Sequence, residues 1–311
     1  MIKWRITAPP GRFNLPDLLR GVARRVRARR SARVLVRVAA IAFHVVSRRA
    51  QLRSLRRNST RQTWGAQPAR TPRAVAVLHV YYPSLLDELI DAAERAPWVS
   101  RVLITCAFEQ QSAIQRSLAS RETKGEALPI RVVSFENFGS DVLPFLKVLD
   151  DEWLLDADLL LKIHTKRSPH LPIGKGDTWR RSLLEGLAPT DELRRLGASE
   201  LLKRTAEDQY PRLIWPIRWA YSVESWGANR SATLQLWRGQ LSNSRGPLVF
   251  PAGTMFWCNK PFLEVLRHTS RATSSEIHSS ETYALDGAIA HAVERRIGQL
   301  ASSLRAAVLT W

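Results

Sequence analysis

Residues 154–168, LLDADLLLKIHTKRS, hold two groups of side chains with different chemistry at their two ends. Asp156 and Asp158 offer carboxylate oxygens, the ligands that a hard divalent ion such as Mg or Mn takes. The alternative, for a pair just ahead of an apolar run, is a turn with a solvated cap. Lys162, His164 and Lys166 alternate, so on an extended backbone they share one face. With Arg167 they would form a compact cationic mouth that neutralises a diphosphate through charge-assisted hydrogen bonds, without a metal. A solvated basic loop is the plain alternative. Against it, Lys162 stands inside an apolar run, where a buried ammonium is costly unless an anion lies near.

Apolar periodicity decides which end of this stretch would meet a ligand. AVAVLHVYY (74–82), RVLITCAF (101–108), PIRVVSF (129–135) and DLLLKIHT (158–165) are predicted to be strands, the first a β-rich apolar run of the kind buried on both faces. Leu85, Leu86, Leu89, Ile90 and Ala93 recur at helical spacing behind a Ser84 cap. A polar helix follows the second strand, and Val142, Phe145, Leu146, Leu149 and Trp153 give one apolar helix face with Pro144 near its first turn. FPAGTMFW (250–257) reads as a further apolar strand, with Gly253 and Thr254 allowing close backbone approach to a ligand. Strands alternating with helices predict an α/β fold, a doubly wound and mostly parallel sheet with helices on both faces. Ligands of such sheets lie beyond the carboxyl ends of the strands. Asp156 and Asp158 then fall at the amino end of the fourth strand, and His164, Thr165, Lys166 and Arg167 leave its carboxyl end.

The chain has 311 residues, 45% of them apolar, enough for one large or two small globular domains. Its formal charge of +19 is confined to one end: 18 of the 47 Lys and Arg, but one of the 28 Asp and Glu, precede residue 71. The remainder is near neutral, so the basic character belongs to an N-terminal arm. Within that arm the apolar stretch 34–47 is interrupted by Arg37 and His44 and falls short of the roughly 20 residues a spanning helix needs. No clean secretory cleavage site follows it. An arginine-rich helix on an anionic membrane face fits the arm, with a solubilising tail or nucleic-acid contact as alternatives. Cys106 and Cys258 lack partners at metal-ligand spacing and read as buried thiols of a reducing compartment. Trp215, Trp219, Trp226 and Trp237 crowd one segment, as sugar-stacking platforms or as a satellite core.

The strands AVAVLHVYYP, RVLITCA and PIRVVSF, the last running into Glu136, Asn137 and Gly139, resemble the first half of a GT-A glycosyltransferase. FENFGSDVLPFL (135–146), LLLKIHTKRSPH (159–170), WRRSLLEGL (179–187), FPAGTMFW (250–257) and LDGAIAHAVERR (285–296) together resemble the rhamnan synthesis protein F family. The resemblance covers roughly residues 74–298. It departs in one place: arginines often flank the glycine of the family's turn, and Phe138 and Ser140 stand there in this chain.

The resemblance implies a GT-A-like glycosyltransferase, a hexosyltransferase with rhamnosyl transfer as the namesake activity. It would carry a sugar from a nucleotide sugar to a cell-surface polysaccharide or lipid-linked glycan, with inversion. The alternative is a non-catalytic glycan- or nucleotide-binding subunit of an assembly complex. On this reading residues 1–57 form the basic arm, 58–72 a linker, 73–188 the donor-binding half and 189–311 the acceptor and catalytic half. Donor contacts are expected from His79, Asn137, Gly139, Asp141, Lys162, His164, Thr165 and Lys166, although Asn137, Gly139 and Asp141 equally suit a turn and a helix cap. Asp286 is the expected base for the acceptor hydroxyl, with Glu281 as the second candidate. His291 and Arg295 follow at helical spacing and would either support the site or serve a structural role. A divalent Mg or Mn is left open. The expected location is the cytoplasm, peripheral on the inner face of the cytoplasmic membrane.

Overall fold

The computed structural model describes residues 71–122, 128–167, 174–216, 220–222, 249–277, 289–304 and 306–310. All belong to one compact unit, Leu52–Trp311. The basic arm, Asp286, Glu281, Trp219, Trp226 and Trp237 lie outside the described residues.

Four strands follow the expected order: β1 (Ala74–Val80), β2 (Val99–Ala107), β3 (Ile130–Phe135) and β4 (Leu159–His164). Every residue of β1 and β4 is buried, which is why both read as continuous apolar runs rather than alternating ones. Helix α1 (Leu86–Arg95) links β1 to β2 and buries Leu86, Leu89, Ile90 and Ala93 along one stripe. Its cap position is Leu85, at the end of a short 3-10 turn, and not Ser84. The Ser84 hydroxyl instead accepts a 2.7 Å hydrogen bond from Arg167. Helix α2 (Phe108–Glu122) leads to β3.

The single helix expected between β3 and β4 is two: α3 (Val142–Lys147) and α4 (Glu152–Leu155). Asp151 causes the break. Its carboxylate accepts from the Trp153 amide at 2.9 Å, restarting the helix with a cap of its own. Beyond β4 come α5 (Lys175–Leu187), α6 (Glu192–Glu207), β5 (Leu213–Pro216), β6 (Ala220–Ser222), β7 (Val249–Pro251), β8 (Phe256–Asn259), α7 (Lys260–Ile277), α8 (Ile289–Ser303) and β9 (Ala307–Thr310). FPAGTMFW is therefore no continuous strand. Gly253 and Thr254 both hold positive φ, 94° and 49°, and turn the chain between β7 and β8.

The main sheet has the order β3-β2-β1-β4-β8-β5-β9. Pairing is parallel from β3 to β4 and between β5 and β9, and β8 runs antiparallel to both its neighbours. Alternate residues feed two cores. Val75, Val77 and Leu160 pack with α3, α7 and α8, while Ala76, Leu78, Leu159 and Leu161 pack with α1 and α5. This is the doubly wound, mostly parallel α/β architecture predicted. Trp215 is fully buried in the first core, so it is core rather than a sugar platform. Both cysteines are free, buried thiols. Among the described residues no helix is long and apolar enough to cross a membrane.

Candidate functional site

Strand order locates the ligand crevice. The chain steps outward from β1 through β2 to β3 and then returns to β4 on the other side of β1. Such a reversal opens a crevice at the carboxyl ends of the two strands on either side of it, here β1 and β4. Two histidines stand there in register, His79 on β1 opposite His164 on β4. Extrapolating the alternation of Val75 and Val77 and of Leu160 puts His79, Lys162 and His164 on one face, the face that α3, α7 and α8 cover.

Helix α3 delivers the anion that Lys162 requires. Gly139 and Ser140 take consecutive left-handed conformations, φ 73° and 54°, and swing the chain so that Asp141 meets the sheet. The Asp141 side chain does not cap its own helix. Its Oδ2 instead lies 2.5 Å from Lys162 Nζ and 2.8 Å from His164 Nδ1. Lys162 Nζ donates a second bond, 2.9 Å, to the carbonyl of Thr254. Burial alone would raise the Asp141 pKa, but the attraction of His164 and Lys162 holds it well below the ordinary carboxylate range. At His164 burial wins and lowers the pKa, against the pull of Asp141. His79 is lowered to about 4 by burial, and its Nδ1 lies 3.1 Å from Thr105 Oγ1.

The Gly139 turn is tightly specified: its carbonyl accepts from the amides of Val142 and Leu143, and a Cβ at Gly139 would stand 2.4 Å from that of Leu143. Gly139→Ala, at a positive φ, is therefore expected to destabilise the fold by more than about 1–2 kcal/mol. Urea denaturation checks this, and a stability within error of wild type would mean that the turn relaxes freely.

The next residues close the crevice. Thr165 Oγ1 accepts from the amides of Tyr81 and Tyr82, 2.9 and 3.1 Å, so it ties β4 to the end of β1. Lys166 Nζ sits 4.2 Å from the centre of the Trp179 ring. Arg167 lies over Tyr82. Arg180, buried on α5, fixes this loop by donating to the Lys166 carbonyl at 2.8 Å while paired with Glu88 and Asp177.

On α8 the largely buried carboxylate of Glu294 accepts the Gly253 amide at 2.6 Å and faces Lys166. Burial raises its pKa, and Lys166 and the Gly253 amide oppose the rise. His291 is on the same helix, and its carbonyl accepts from Arg295, whose guanidinium lies over Phe250. Arg180 and Glu294 were missed by sequence reasoning although a signal was present. Each is a charge on an otherwise apolar helical stripe, Arg180 with Leu183, Leu184 and Leu187, and Glu294 with Ala290, Ile297 and Ala301.

Asp156 and Asp158 are at the amino end of β4, far along the sheet from His164. Asp156 pairs with the Arg73 guanidinium at 2.6 Å, and Asp158 accepts the Arg73 amide at 2.9 Å. They fasten the start of β1 to the start of β4. Among the described residues no group of three or more His, Cys, Asp or Glu is arranged to hold a metal ion. Asn137 is exposed on the turn ahead of α3.

Two strains of Xanthomonas campestris pv. campestris each carry a protein, the uncharacterized protein WxcX, that is 29% identical to this chain over 235 residues. The aligned part is 73% of this chain and 31% of WxcX, so the chain spans about a third of the length of these curated relatives. Among solved structures, the mannosyltransferase PcManGT of Pyrobaculum calidifontis, in complex with GDP-Man and Mn2+, is similar at 13% identity and a TM-score of 0.32. That likeness covers 85% of this chain and 90% of the mannosyltransferase. The model of rhamnan synthesis protein F matches residues 44–305, from the basic arm to the end of α8. By that match, the chain belongs to the rhamnan synthesis protein F family.

Proposed function

We propose that this chain is a glycosyltransferase with a GT-A-like sheet, taking a sugar from a nucleotide-sugar donor and passing it to a cell-surface polysaccharide or lipid-linked glycan. The observation that carries the reading is the polar group at the β1/β4 crevice, in which buried His79, Lys162 and His164 surround the partly buried Asp141. This polar group stands at the ligand edge of a doubly wound sheet, where a bound anion would be met. The crevice would hold the diphosphate. The Gly253–Thr254 turn brings backbone to the same group, its Thr254 carbonyl accepting from Lys162. The family's name points to rhamnose as the sugar. Asp286, or Glu281 in its place, would take the proton from the acceptor hydroxyl in an inverting attack. Residues 1–57 would hold the domain against an anionic membrane face, where a lipid-linked acceptor resides.

A panel of sugar nucleotides, scored for nucleotide release with and without EDTA, tests this reading. His164→Ala is expected to lower turnover by about a hundredfold or more, and Asp156→Ala to leave it near wild type. Turnover that vanished with EDTA and in Asp156→Ala, yet survived His164→Ala, would place the site at the other end of β4.

A further inference from the structure

A nucleoside diphosphate brings several negative charges into a crevice whose buried cations already have carboxylate partners, with Arg167 at its exposed rim held by the Ser84 hydroxyl and the Tyr82 ring. Lys162 gives its ammonium to Asp141 and to the Thr254 carbonyl. Lys166 faces Glu294, and Arg180 is held by Glu88, Asp177 and the Lys166 carbonyl. His164 differs from all of these. A carboxylate only accepts, so at 2.8 Å from Asp141 Oδ2 the Nδ1 of His164 is the nitrogen that favours the ring proton, although the contact is not aligned as a hydrogen bond. The neutral ring then turns a lone pair, on Nε2, to its other side. A lone pair repels a phosphate oxygen; an N–H there would bind it, with Asp141 steadying the imidazolium from behind.

Resting on the donor site proposed above, we propose that His164 binds the diphosphate as a cation formed on binding, so that each nucleoside diphosphate enters together with a proton. Asp141 is the positioning residue, since its charge beside Nδ1 favours that tautomer and the imidazolium. The groups facing His164 agree in sign. Without ligand, burial lowers its pKa below the ordinary 6.5, Asp141 opposes this, and Lys162 and Lys166 add repulsion. His79, opposite on β1, is lowered to about 4 by burial and stays neutral. An incoming diphosphate reverses the balance at His164 alone. Above the ordinary histidine range, affinity then falls as pH rises, by up to about tenfold per unit.

Calorimetry of the full chain with UDP, GDP and dTDP at pH 8, in buffers of different ionisation enthalpy, reads the proton directly. The expected result is a buffer-dependent heat equivalent to roughly one proton taken up, absent in His164→Gln. The ligand's own phosphate titrates at lower pH, and the variant sets that baseline. In the wild-type chain, an upward shift of the His164 ring titration by NMR on saturation with the same ligand gives the answer without any variant. Binding with buffer-independent heat and an unshifted His164 overturns proton-coupled binding and leaves the donor site standing. Failure of all three diphosphates to bind overturns both.

Discussion

Asp141→Ala is expected to destabilise the fold by about 3–5 kcal/mol, the usual result of stripping one partner from a buried ion pair. The Lys162 side chain is 1% exposed, so its ammonium has no water to turn to once the carboxylate is gone. One acceptor would remain, the Thr254 carbonyl, and Phe145, whose ring lies 5.3 Å from Nζ, is a weak substitute. The double variant Asp141→Leu with Lys162→Met should recover most of the loss, because a buried pair replaced by apolar groups of similar volume is often neutral in stability. Urea midpoints at constant m value measure both. An Asp141→Ala chain within about 1 kcal/mol of wild type would show that Lys162 reaches water. The pH dependence has a definite sign. Asp141 is depressed in the folded chain, so its contribution is fully present above the ordinary carboxylate pKa. It is lost only as pH falls through the depressed value, well below 3.8.

The same pair marks where the sequence stops being legible. Lys162 inside LLLKIHT announces that an anion must be near, but the chain offers many carboxylates and no local rule selects one. Asp141, at a helix start, reads as a cap because capping is a local interaction between neighbours in sequence. Its partners are 21 and 23 positions away across a sheet, and only the left-handed Gly139–Ser140 turn makes the meeting possible. In the cationic mouth Lys162, His164 and Lys166 therefore face carboxylates, while Arg167 is held by the Ser84 hydroxyl and the Tyr82 ring. Strands β1 and β4 are readable because strands buried on both faces need unbroken apolar runs, and this ranks the two ends of β4, whereas β3, at the sheet edge, is only half-buried along its length. The break between α3 and α4 is set by a single cap, Asp151, within a stripe that otherwise continues. The β7–β8 turn was signalled by Pro251 and Gly253, which the apolar content around them outweighed.

Glu294→Leu is the second large effect expected, and it separates two kinds of loss. The carboxylate holds the Gly253 amide at 2.6 Å and is the charge facing Lys166. Leucine keeps the volume but leaves a buried N–H and an ammonium without their partner, a penalty of about 2–4 kcal/mol. Glu294→Gln keeps an acceptor for Gly253 and removes only the charge, so it should retain most of the stability. Turnover is expected to follow the turn rather than the charge. Leucine frees the Gly253–Thr254 backbone, whose carbonyl fixes Lys162, and should lower kcat by about a hundredfold, with glutamine less affected. Stability against pH gives a readout of opposite sign to that of Asp141. Burial raises the Glu294 pKa above 4.5 in the folded chain, so its contribution is complete below that value and declines as pH rises through the folded pKa. The stability of wild type relative to Glu294→Gln should therefore fall across that interval. A difference that rises with pH instead would mean that Lys166 dominates burial and that the pair is held as a full ion pair in the resting protein.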